Sequence, residues 1–131
     1  MKNWKYKVYQ LPFSVMESLT NDGKPIPFLY RGDETSANEF VFSRDTARDL
    51  YRRGGYRVVA RFDVTQLGDI FDLSNNPYID DEAREKRIDR VEGQKMHSVS
   101  VGDIILDTES NEYYIVAPFG FDELGKLRRA L

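Results

Sequence analysis

Apolar and polar positions alternate at the start of the chain. Trp4, Tyr6 and Val8 fall on one side and Lys5, Lys7 and Tyr9 on the other, which predicts a half-buried strand over residues 5–11, at or near a sheet edge. Asn21-Asp22-Gly23-Lys24-Pro25-Ile26-Pro27 reads as a loop, because Asp-Gly favours a turn and the prolines block a helix. Phe28-Leu29-Tyr30 is a short apolar strand candidate, followed by a second polar loop over residues 31–38. After Phe40-Val41-Phe42 the period changes. Ser43 is a good N-cap, Asp45 sits at the positive end of a helix dipole, and Ala47, Leu50 and Tyr51 are spaced i, i+3, i+4. Arg52-Arg53 and then Gly54-Gly55 end this helix.

Alternation returns over residues 56–62, with Tyr56, Val58, Ala60 and Phe62 on one face and Arg57 and Arg61 on the other. Val59 breaks the pattern, which implies that part of the second face is covered. A second helix, capped by Asp63 or Thr65, carries Leu67, Ile70 and Phe71 on its buried side and ends at Asn75-Asn76-Pro77. Asp80-Asp81-Glu82 followed by Arg84, Lys86, Arg87 and Arg90 has the acidic-then-basic order of a solvated helix, with thin apolar content in Ala83, Ile88 and Val91. The last third reads as a framed hairpin: a polar entry from His97, a Gly102-Asp103 turn, a strand over residues 104–106, a polar loop over 107–112 and a strand over 113–117. The tail over residues 122–131 is a short helix candidate, with Leu124 and Leu127 spaced i, i+3. Together these elements predict an α+β fold, a mostly antiparallel sheet with two or three helices packed on it, in a single domain over residues 1–131.

Composition narrows the chemistry. A chain of 131 residues, 40% hydrophobic and 13% aromatic, can bury a core without staples. It has no cysteine, which excludes disulfides, thiolate catalysis and cysteine-based metal sites, and its one histidine excludes a multi-histidine site within one chain. A net charge of -3 argues against a dominant phosphate-backbone partner. No secretory signal follows Met1, and no window approaches the ~20 apolar residues of a membrane helix, so a cytoplasmic protein with no membrane partner is expected.

Three blocks carry a resemblance. They are Tyr6-Lys7-Val8-Tyr9-Gln10-Leu11; the strand-helix unit of residues 56–62 and 67–75; and His97-Ser98-Val99-Ser100-Val101-Gly102-Asp103-Ile104-Ile105 with Tyr113-Tyr114 and Phe119-Gly120-Phe121. In these the chain resembles the YodL-like family of small bacterial and mobile-element proteins. The resemblance touches the first strand and most of residues 56–124, and covers residues 12–55 less clearly. It implies a small α+β fold, a phage or mobile-element setting and protein binding. The family has no agreed catalytic residues, so it assigns none here.

Several residues invite chemistry. His97-Ser98 suggests a nucleophile beside its base, but neighbours on an extended chain point to opposite faces; turn bonds from the Ser98 and Ser100 hydroxyls are the simpler reading. Gly102-Asp103 lacks the further glycines and the following helix of a phosphate loop. Tyr30-Arg31-Gly32 with Phe42-Ser43 resembles the Arg and Ser strand ends of mono-ADP-ribosyltransferases, yet Glu109-Ser110-Asn111-Glu112 has the wrong spacing for their Glu-x-Glu. Asp80-Asp81-Glu82 has no EF-hand spacing. Arg44, Arg48 and Arg52 align along one helix face, suited to an acidic partner or to nucleic acid. Phe119 and Phe121 flank a glycine and would anchor a protein interface if exposed, or close the core if buried. The expected function is a non-enzymatic module that binds a host protein, for instance one of host defence or cell-envelope assembly, through Arg44, Arg48, Arg52, Phe119 and Phe121, with no catalytic residue, metal or cofactor. The alternatives are an ADP-ribosyltransferase-like enzyme and a nucleic-acid binder acting through the Arg-rich helix.

Overall fold

The first strand lies in the middle of the sheet, not at its edge. In the computed structural model, which describes residues 3–12, 29–31, 40–42, 44–100, 102–117 and 120–127, strand β1 (Tyr6–Gln10) pairs antiparallel with β4 (Arg57–Phe62) on one side and β6 (Ile104–Asp107) on the other. Lys5 and Lys7 lie near the strand's start, whereas Tyr9 and Gln10 are buried, as a central strand requires. With β5 (Ile88–Arg90), β7 (Glu112–Val116) and β8 (Phe121–Gly125), the six-stranded antiparallel sheet runs β5-β4-β1-β6-β7-β8. The strands β2 (Leu29–Arg31) and β3 (Phe40–Phe42) form a separate antiparallel pair. Among the described residues three helices pack with these strands in an α+β architecture: α1 (Arg44–Arg52), α2 (Leu67–Asn75) and α3 (Asp81–Lys86).

Helices cover both faces of the sheet, which is why Ile104-Ile105-Leu106 reads as an unbroken apolar run and all three residues are buried. On one face Ile70 and Leu73 of α2 pack with Tyr6, Val8, Ala60, Phe62, Ile105 and Val116. On the other, Ala47 and Tyr51 of α1 pack with Tyr9, Tyr56, Ile104, Tyr113, Ile115 and Leu124. The break at Val59 is a β-bulge. Val8 pairs with Ala60 but Tyr9 with Val58, so Val59 is the extra residue, and it turns into the α2-side core.

α1 ends as its glycines predict. Gly54 adopts φ 79°, its N–H bonds Tyr51 O at 3.0 Å, and Gly55 N–H reaches back to Leu50 O at 2.8 Å, the paired bonds of a Schellman stop. Three other expectations are corrected. The helix over the acidic-then-basic run begins as expected, with the Asp80 carboxylate capping Ala83 N–H, but it stops at Lys86; Ile88–Arg90 pairs with β4 instead of continuing it. The tail is not a helix from Asp122: residues 121–125 pair with β7, and Leu124, the extra residue of a second irregularity, fills the α1-side core beside Tyr113. Finally, α2 is capped by neither Asp63 nor Thr65; its N-cap is Gln66, which makes no side-chain cap bond.

Candidate functional site

The block from His97 to Asp103, read from the sequence as a structural turn before a strand, forms a buckle. Residues 97–100 belong to no strand or helix, so their backbone groups need other partners. Gln10 supplies two: its Nε2 donates to His97 O at 2.8 Å and its Oε1 accepts His97 N–H at 3.1 Å. Ser74 and Asn75, at the end of α2, supply two more: Ser74 Oγ accepts Val99 N–H at 2.9 Å and Asn75 Nδ2 donates to Val99 O at 2.8 Å. The Asp103 carboxylate accepts both Ser100 N–H and the Gln10 amide at 2.9 Å. Tyr56 donates to Gly102 O at 2.7 Å, and Gly102, at φ 99°, donates to Val116 O. The side chains that hold this segment are therefore not its own serines.

Burial sets the electrostatics of the buckle. Asp103 is 4% exposed, and desolvation pushes its carboxyl up to about 7 despite the bonds from Ser100 and Gln10. Desolvation likewise pushes the Tyr56 phenol up, helped by the Asp103 charge. Asp103 does not serve His97 as the third member of a triad, since its carboxylate accepts from Ser100 and Gln10, while His97 Nδ1 lies 2.9 Å from Ser98 O. A carbonyl only accepts, so Nδ1 carries the proton in that contact.

Among the described residues, two clefts flank the sheet. One, of about 320 Å³, lies where β1 gives way to Leu11 and Pro12; Arg57, Lys95 and His97 are among its walls. The other, of about 270 Å³, is an apolar groove between α2 and the β7–β8 turn, lined by Gly68, Phe71, Val116, Ala117, Gly120 and Phe121. Phe71 was expected on the buried side of its helix. Instead Ile70 and Leu73 take that side, and Phe71 stands 45% exposed. The i, i+3 spacing of Ile70 and Leu73 was the available signal. A Cβ added at Gly68 would meet nothing within 4 Å, so the space at the helix end of the groove is open.

The groove passes into an acidic ledge. Alternation places Tyr114 on the same strand face as Val116, and Glu123 opposite Tyr114, about 7 Å further along. The Tyr114 hydroxyl bonds Glu112 at 3.4 Å. Its phenol is pushed up, first by desolvation and then by the negative charges of Glu112, Glu123 and Asp107, which places these carboxylates around one ring.

The other sequence candidates are scattered. Arg44 and Arg52 are exposed on α1, whereas Arg48 is half-buried and its Nε donates to Leu124 O at 3.3 Å, tying the helix to β8. Phe121 is half-buried against the α2-side core and also lines the groove; Phe119 and Ser43 lie outside the described residues. The backbone of Arg31 pairs with Phe40 in the small sheet. Sequence reasoning missed Gly68, Phe71 and Lys95, which line the two clefts. Among the described residues no group of three His, Asp or Glu is placed to hold a metal ion, and no helix is long and apolar enough to cross a membrane.

The architecture defines an α+β protein whose six-stranded antiparallel sheet carries helices on both faces. No protein family, curated protein or solved structure matches the chain.

Proposed function

We propose that the protein is a non-enzymatic interaction module of the YodL-like kind, encoded by a phage or other mobile element, that binds a host protein in the cytoplasm. The observation that carries this reading is the groove of Phe71 and Phe121, with Phe71 45% exposed and Gly68 leaving room beside it. Large aromatics at a solvent boundary are the residues on which interface energy concentrates. The adjoining Asp107, Glu112 and Glu123 specify the partner's chemistry by complementarity: a segment presenting a bulky apolar side chain followed by lysine or arginine. A host-defence protein with such a segment is the first target.

The test is affinity capture from host lysate with wild-type protein and Phe71→Asp side by side. A protein recovered reproducibly by wild type and lost with Phe71→Asp supports the proposal. No reproducible partner, or equal recovery by the variant, sinks it. Recovery of nucleic acid that disappears with salt and with Arg52→Glu would transfer the function to the Arg44, Arg48 and Arg52 stripe; ADP-ribose transfer from NAD would transfer it to Arg31 and Ser43.

A further inference from the structure

We infer that the cleft beyond the end of β1 is a binding site for a small organic anion, a phosphate or carboxylate carried on an apolar body. The reading is independent of the docking groove. Among the described residues Arg57, Lys95 and His97 line this cavity and no carboxylate does, although the chain as a whole carries a net charge of -3. Leu11, Pro12 and Val59 supply apolar wall between them. A cleft of about 320 Å³ suits a ligand of metabolite size.

The walls are held in place from behind. Arg57 donates to Gly54 O and Tyr56 O, which anchors its guanidinium against the end of α1. The Nδ1 contact to Ser98 O orients the His97 ring. The Gln10 amide lines the cavity too, but both its hydrogens and its oxygen are taken by His97 backbone and Asp103. What the site offers a ligand is therefore positive charge rather than the amide. Asp103, the carboxylate bonded to Gln10, is buried behind that amide and does not line the cleft. An anion entering here replaces water beside the Arg57 and Lys95 side chains that line the cleft, and charge-assisted bonds to Arg and Lys are the strong ones.

His97 is the chain's one histidine, so its ring resonances report on the cleft without ambiguity. Phenyl phosphate and benzoate are titrated into the full chain at constant ionic strength, with sodium chloride as the control. The expected result is a saturable shift of the His97 ring signals with at least one of the two, weakened about tenfold or more in Lys95→Glu. The tighter of the two names the head group. Arg57→Gln is a second variant, and because Lys95 is exposed, Lys95→Glu keeps the test valid if Arg57→Gln perturbs the fold. Signals that follow ionic strength alone, or equal binding by Lys95→Glu, overturn the inference.

Discussion

The buckle at residues 97–103 and the groove at Phe71 and Phe121 belong to the same side of the sheet, since Val99, Val116 and Phe121 all pack into the core beneath α2. They differ in what their functional groups are occupied with. In the buckle, the side chains of Gln10, Ser74, Asn75 and Asp103 are bonded to backbone that no strand or helix satisfies. In the groove, apolar surface faces solvent and the space beside Gly68 is open. A cluster of Gln, Asp, Ser and His thus marks architecture here, and a plain Gly-x-x-Phe on a helix marks the surface available to others. Residue type alone would have ranked them the other way.

The comparison breaks most readily at Gln10. Gln10→Ala strands His97 N–H, His97 O and a bond to Asp103 in a buried setting, and should cost about 3 kcal/mol in denaturant unfolding. A loss under about 1 kcal/mol would mean the buckle is not held from β1. Next is pH. The folded-state carboxyl of Asp103 sits near 7 against an ordinary value of 3.8, so in that window the folded state holds a proton that the unfolded chain has released. Its contribution is fully present below the lower value and is lost as pH rises towards 7, with a slope of at most about 1.4 kcal/mol per pH unit. Asp103→Asn should flatten that part of the stability profile, and a slope unchanged in the variant would assign it to other groups. Ser74→Ala removes one acceptor from Val99 N–H and should cost about 1 kcal/mol, read from the same unfolding curves. Smallest is Phe71→Asp, expected to lower the unfolding free energy by less than about 1 kcal/mol because the ring is already 45% exposed. A large loss there would move Phe71 into the core and close the groove as an interface.

Local patterns found most of the fold. The stop of α1, the β6–β7 hairpin and the change of face at Val59 were readable because turn glycines and period-two runs act within a few residues. What was missed depends on distant partners. Ile88 continues a helix on its own pattern and becomes a strand because β4 pairs with it. Leu124 and Leu127 have helical spacing, yet β7 draws Leu124 into the sheet. Gln10 gave no signal, since its partners lie 87 and 93 residues away. Nothing local marks Lys95 as part of a site, because only the fold brings it beside Arg57 and His97.

The place of β1 also bears on how the chain folds. The strand nearest the N-terminus joins two groups that otherwise do not meet, β5-β4 on one flank and β6-β7-β8 on the other. Its partners are residues 57–62 and 104–107, so two long loops must close before the sheet exists. During synthesis the middle of the sheet emerges first and waits, apolar on both faces, for strands not yet made. Folding should be late and cooperative rather than progressive, and a nascent chain stalled before Ile104 should be a substrate for chaperones rather than a half-built domain.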